Sequence, residues 1–407
     1  MKNHPYPSTP SHYLSACLRN AYNSYLPMHQ KNYQPPGKPR YEVLDGLRGV
    51  AALIVVAFHL LEVYSGGPVH QIINHGYLAV DFFFILSGYV VGYAYDNNPR
   101  LTAWNFAKRR LVRLHPMVVF GSLLGALLFY FQQGDTFPPI AATSAGTLLV
   151  ITLVCCTLLP LPPSCDIRGW AETNPLNGPA WSLQFEYLAN ILYFFVLRRL
   201  PATVIGLLAA GAAILTIDLT MNLDIFNLLG GRGLLANTVV GGWCITEQQC
   251  YIGLTRLLYP FLCGLLLSRT VRSPRIKGGF LLCSVLLVTA LAWPRLGGEQ
   301  QGWQNGLYEA GCILLLFPTI VVLGAGSTAG RSQRLCRWLG EISYPLYLTH
   351  YPLVYLQTAW ANAHPDAPTA THAFVYVAVF ALSLLTAYAC MRLYDIPIRA
   401  WLRRRYL

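Results

Sequence analysis

Leu47-Arg48-Gly49-Val50-Ala51-Ala52-Leu53-Ile54-Val55-Val56-Ala57-Phe58-His59-Leu60-Leu61 reads as a membrane-spanning helix with Arg48 at its start and His59 inside it. Eleven residues at about 100° each bring a helix back to within about 20° of its first direction, so both side chains share a face. The rise between them is about 16 Å, roughly half a hydrocarbon slab. With Arg48 at one interface, His59 is expected near mid-bilayer. An ionisable group at that depth is costly to keep and reads as functional, turned toward a protein cavity. The pattern predicts a site that grips an anion at the membrane surface and does proton chemistry within.

Composition points the same way. Of 407 residues, 54% are hydrophobic and 11% charged, with a mean hydropathy of +0.42. Soluble domains carry about 25% charged residues, so an integral membrane protein is expected. The formal net charge of +12 sits in short loops between apolar runs. That is the positive-inside pattern; it predicts contact with anionic membrane lipids and no nucleic-acid partner. Residues 1–40 are polar and rich in Pro, Tyr and Asn, without the charged-then-apolar run of a signal peptide, and are expected to form a flexible cytoplasmic tail. The eleven cysteines show no metal-ligand spacing, so no metal site is expected. Cys244 and Cys250 share one loop, where an oxidising compartment would allow a disulfide.

Spanning candidates are 47–63, 77–95, 117–131, 145–161, 180–197, 202–219, 252–268, 279–293, 307–324, 342–359 and 371–394. Basic clusters mark the cytoplasmic loops: Lys38, Arg40 and Arg48; Arg100, Lys108, Arg109, Arg110 and Arg113; Arg198 and Arg199; Arg269, Arg272, Arg275 and Lys277; Arg331, Arg334 and Arg337; and Arg399, Arg403, Arg404 and Arg405. Holding all of them on one side requires an even number of crossings. We therefore expect 117–131 and 145–161 to supply one full crossing between them. The prediction is an all-α polytopic helical bundle of about ten transmembrane helices, with both termini cytoplasmic, a transmembrane domain at 41–400 and a short basic tail at 401–407.

Asp45, Arg48, Ala52, Val55, His59 and Glu62 follow at steps of three or four and form one stripe on the first helix. Alone, Arg48 reads equally as a snorkelling anchor and His59 as a packing histidine. On one face together they read as a site, with Asp45 placed to orient the guanidinium. The second span opens with an acid, Asp81, and carries Ser87 between Phe83 and Gly88. Gly88 and Gly92 have the small-xxx-small spacing of close helix packing. Further polar candidates in apolar surroundings are Trp181 with Glu186, and His350; Asp395 reads as structural.

Six ordered blocks resemble the membrane-bound acyltransferase-3 family. They are Leu44-Asp45-Gly46-Leu47-Arg48-Gly49 with His59; Val80-Asp81-Phe82-Phe83 to Leu86-Ser87-Gly88; and Arg109-Arg110-Leu111-Val112-Arg113-Leu114-His115-Pro116. Then come Trp181-Ser182-Leu183 with Glu186; Leu339-Gly340-Glu341-Ile342-Ser343-Tyr344 with Leu346-Tyr347-Leu348 and His350; and Asp395 with Pro397. The resemblance implies a helical membrane enzyme that moves acyl groups, usually acetyl from a cytoplasmic acyl-CoA, onto hydroxyls of glycans and glycolipids. Two departures stand out: only a short basic tail follows Asp395 where some members append an SGNH-type esterase domain, and Asp395 stands where relatives more often have Glu.

On this reading Arg48, Arg109, Arg110 and Arg113 bind the phosphates of the acyl-CoA, acetyl-CoA in the simplest case, which acts as donor substrate, with no bound cofactor. His59 acts as general base or as a nucleophile forming an acyl-imidazole, with Asp81 or Glu186 countering the effect of burial and fixing its tautomer. The acceptor is a cell-surface carbohydrate or glycolipid, glycan-assembly proteins are further partners, and a bacterial inner membrane is the expected location. The competing readings are a proton-coupled transporter or flippase using the same charges, and a scaffold with degenerate chemistry.

Overall fold

The computed structural model describes residues 40–65, 70–96, 98–271, 276–298 and 300–407. The expected tail before Arg40, with Lys38, Arg272 and Arg275, lies outside the described residues. Helices dominate: α1 (Glu42–Glu62), α2 (Ala79–Tyr95), α3 (Ala103–Leu128), α4 (Ala145–Thr157), α5 (Trp181–Phe195), α6 (Ala202–Met221), α7 (Glu247–Thr270), α8 (Gly279–Ala292), α9 (Trp303–Gly311), α10 (Phe317–Ala325), α11 (Gln333–Thr349), α12 (Tyr351–Ala363), α13 (Thr369–Cys390) and α14 (Ile396–Tyr406). Single π turns, Cys312–Leu316 and Met391–Asp395, join α9 to α10 and α13 to α14. The described strands are a two-residue parallel bridge, Ile276–Lys277 with Ser327–Thr328.

Seven of the described helices are long and apolar enough to cross a membrane, and the protein is an all-α polytopic membrane protein. Helix α4 is apolar but has 13 residues, about 20 Å, short of a full slab. The α13–α14 rod has 38 residues, about 57 Å, nearly twice a slab. Residues 401–406 continue that rod instead of trailing from it, and Lys108 Nζ donates to the Tyr406 carbonyl at 3.0 Å.

Local chemistry sets the helix ends. Thr102, Ser144 and Thr246 cap α3, α4 and α7 by accepting backbone N–H bonds from Asn105, Thr147 and Gln249. Glu42 and Asp45 place negative charge in the first turn of α1, where the helix dipole favours it. The stretch 342–359, expected as one span, is divided: α11 ends at Thr349 and α12 begins at Tyr351, so His350 sits at the corner. Pro352, which has no N–H to extend the α11 ladder, occupies the first turn of α12.

Helices α2 and α7 touch backbone to backbone. A Cβ at Gly88 would collide with the Phe261 carbonyl, and one at Gly264 with the carbonyl of Ile85. The spacing of Gly88 and Gly92 is therefore a packing feature, as expected. This contact carries Asp81 of α2 up to Arg256 of α7, side chains that are 0% and 3% exposed. Cys244 and Cys250 are both free thiols.

Candidate active site

The histidine-bearing cavity is lined from six helices and the loops between them. Val55, His59 and Glu62 of α1, Val80 of α2, Trp181 of α5 and Tyr347 of α11 line a space of about 650 Å³, joined by Glu172, Arg256 and Tyr351. Trp170 and the exposed Asn362 are also in the lining, so the cavity reaches the surface near the C-terminal end of α1.

Within it, His59 Nδ1 donates to Glu62 Oε2 at 2.8 Å. A carboxylate only accepts, so Nδ1 carries the proton and the Nε2 lone pair is left for the cavity. The imidazole is held on two further sides. It stacks on the His350 ring (5.7 Å between centroids, 27° between planes) and meets the Tyr351 ring edge-on at 4.9 Å. His350 Nδ1 donates to the Leu346 carbonyl at 3.0 Å, while its buried Nε2 has no partner among the described residues.

The expected depth of His59 needs correction. Helix α1 starts at Glu42, six residues before Arg48, so Arg48 lies in its second turn and His59 in its last. The histidine is therefore near the far end of the helix, not halfway along it. The two acids expected beside the imidazole are elsewhere. Asp81 pairs with Arg256 at 2.8 Å, and Arg256 also donates to the carbonyls of Tyr77 and Gly241 while stacking on Trp181. Glu186 accepts from Arg110 at 2.6 Å and from Ser87 Oγ at 3.2 Å. For Glu186 the physical reason is depth: it lies five residues beyond Trp181, about 7.5 Å farther along α5 and past the cavity wall. Glu62 is the acid that bonds the imidazole, and the i,i+3 spacing in the α1 stripe already carried that signal.

Glu186 belongs to a second cluster at the opposite end of α1. Arg48, held by Asp45 at 3.3 Å, Arg110 and Glu186 are the charged neighbours of Arg113. Arg110 is 5% exposed, and its Nε has no hydrogen-bond partner among the described residues. Residues 108–113 lie on helix α3 and not in a loop, which brings Arg110 and Arg113 onto the bundle. Asp395 pairs with Arg399, one turn farther along the chain.

A thin layer separates the two clusters. On α2, Val80 lines the cavity, Ser87 meets Glu186, and Phe83 falls between them on the same face. The Phe83 ring packs edge-on against Tyr347 at 5.7 Å, and the Tyr347 hydroxyl is 2.7 Å from Ser182 Oγ. Arg48 is thus not part of the cavity lining that holds His59. The described residues contain no group of three or more potential metal ligands.

The order and spacing of these residues match a known group along nearly the whole described chain: the family model described as an acyltransferase domain covers residues 41–392. The chain belongs to the acyltransferase-3 family. Relatives of this acyltransferase include "Protein 2 in picA locus" of Rhizobium radiobacter, 34% identical over 38% of this chain and 81% of the relative. Acyltransferase MdmB of Streptomyces mycarofaciens is 26% identical over 79% of this chain and 80% of its own length. O-acetyltransferase OatA of Staphylococcus aureus is 24% identical over 91% of this chain, which spans only 58% of that relative. No solved structure gives a significant match. For this acyltransferase-3 member, the structure groups Arg48, Arg110, Arg113, Glu186, Ser87 and Asp45 at one end. It groups His59, His350 and Trp181 at the other, with Asp81 reaching that end through Arg256. Arg109 shares α3 with Arg110 and Arg113. Arg256 and Glu172, both in the cavity lining, are not singled out by the sequence reading.

Proposed function

We propose that this acyltransferase moves an acyl group, acetyl in the simplest case, from a cytoplasmic acyl-CoA onto a hydroxyl of a carbohydrate or glycolipid. The observation that carries the reading is the His59–Glu62 pair, with its Nε2 lone pair presented to a cavity large enough for a small organic acceptor.

The arginine cluster supplies the donor's anchor. Guanidinium groups suit bidentate phosphate contacts, and Arg48, Arg110 and Arg113 crowd together with few carboxylates to neutralise them. The donor's flexible arm then passes the Phe83–Tyr347 layer to bring its thioester to His59. At Nε2 the imidazole takes either the acceptor proton or the acyl group itself, and the Glu62 carboxylate stabilises the positive charge that develops on the ring. Acceptor and donor thus approach from opposite ends of α1, so the acyl group crosses the protein. Membrane lipids surround the bundle, glycan-assembly proteins are its proposed neighbours, and a bacterial inner membrane with both termini cytoplasmic is the proposed setting. The test is CoA release from acetyl-CoA by purified protein, stimulated by membranes containing the acceptor. A protein that binds acetyl-CoA but never releases CoA would contradict the reading and point to transport.

A further inference from the structure

The loop between α4 and α5 delivers a buried acid to the cavity. Glu172 is 6% exposed and lines the same space as His59. Its Oε2 accepts from the Tyr355 hydroxyl at 2.5 Å, and that is the one hydrogen bond its carboxyl makes among the described residues. Gly178, also in the lining, passes so near Oε1 that a side chain there would collide with the carboxyl.

Glu172 is rigidly placed relative to the imidazole. Tyr351 packs edge-on against both His59, at 4.9 Å, and Tyr355, at 4.7 Å, so α12 sets the spacing. The fully buried Arg168 guanidinium sits 3.5 Å from the Tyr355 ring centre and is held by Pro175 and Gln132. The charges facing Glu172 are Arg168 and Asp166 from its own loop and Glu62 from α1; Tyr351 and Tyr355 face it from α12. Burial, acting against the Arg168 charge, pushes its carboxyl up to about 7. Glu62 is already bonded to His59, so Glu172 is a second acid in the cavity with a free oxygen and no structural bond to lose there.

We propose that Glu172 is the general base for the acceptor hydroxyl, which leaves His59 to carry the acyl group. This rests on the acyl-transfer reading above. In the first step His59 Nε2 attacks the thioester carbonyl carbon; the N–C bond forms and the C–S bond breaks. CoA leaves as thiolate, and the acyl-imidazolium that remains keeps its Nδ1 proton, bonded to the Glu62 carboxylate. In the second step the acceptor oxygen attacks the acyl carbon and its proton passes to the Glu172 carboxylate. The N–C bond breaks and its electron pair returns to Nε2, restoring the neutral imidazole with Nδ1 protonated, and Glu172 releases its proton to water. The sum is thioester plus alcohol giving ester, CoA thiolate and one proton.

The test uses the full chain, radiolabelled acetyl-CoA and inside-out membrane vesicles from producing cells as the source of acceptor. Glu172→Gln keeps an oxygen for the Tyr355 hydroxyl, so it should fold, and at pH below about 4.5, where Glu172 is neutral, it should melt like the parent. The variant is expected to take label onto the protein, lost in a Glu172→Gln/His59→Ala double variant. Its transfer of label to vesicle glycans and lipids should slow at least about 100-fold, the usual scale of a lost general base. Glu172→Asp should restore part of the rate. Transfer by Glu172→Gln at the parental rate would overturn the proposal, and so would a folded Glu172→Gln protein that takes no label. If the unaltered protein releases no CoA in these vesicles, the acyl-transfer reading itself falls, and this one with it.

Discussion

Replacing Glu62 with Gln tests the chemistry of the cavity without emptying it. The side chain keeps its shape, but the oxygen facing His59 Nδ1 at 2.8 Å loses its charge. Hydrogen bonds to a charged group are worth about 1.5–3 kcal/mol, and about 1.4 kcal/mol is a factor of ten in rate. The two side chains are 19% and 30% exposed, so solvent screens part of this and the lower half of the range applies. We expect kcat to fall about 10- to 40-fold. KM for acetyl-CoA should hold, because Glu62 lies about 21 Å along α1 from Arg48. Stability should change by less than about 1 kcal/mol, as for other partly exposed pairs. Initial rates of CoA release, followed with a thiol reagent in acceptor-containing membranes, give both constants. An unchanged kcat, or a loss confined to KM, would refute the assignment of Glu62 as the partner that orients and charges the imidazole.

Three further outcomes follow from particular contacts. Arg256→Ala strands the fully buried Asp81 carboxylate, so it should cost about 3–5 kcal/mol in a denaturant melt, and Asp81→Asn/Arg256→Met should recover most of it. Arg113→Ala should raise KM for acetyl-CoA about tenfold and leave kcat within about twofold, the value of one charged phosphate contact, read from the same CoA-release assay. The native fold holds the Glu172 proton more tightly than an unfolded chain does, at about 7 against 4.5. Its contribution to stability is therefore complete below pH 4.5 and is lost as pH rises toward 7, so Glu172→Gln should flatten the melting temperature over that window.

Much of this arrangement was legible in the residues. The three-and-four spacing of Asp45, Arg48, His59 and Glu62 placed an arginine end and a histidine end on one helix, and small-xxx-small glycines announced the α2–α7 contact. What the sequence does not show is which partner each charge finds, because that depends on the phase and depth of neighbouring helices. Asp81 and Glu186 look equally near His59 on paper; in the fold one is pulled to Arg256 and the other to Arg110. Arg256 itself had a signal, being a charge inside an apolar span, the same criterion that singles out His59. Glu172 had none. It sits in a polar loop between helices and becomes buried only because Tyr355, Arg168 and Gly178 close around it. The corner at His350 was half visible, since Pro352 marks where a helix cannot simply run on.

The most direct measurement compares O-acyl groups on surface glycans and lipids, by mass spectrometry, in cells producing the unaltered protein or His59→Ala at equal membrane levels. The account predicts an O-acyl signal that disappears with the histidine while the variant remains folded in the membrane. An undiminished signal would contradict it, because no other group lining the cavity is proposed to carry the acyl group.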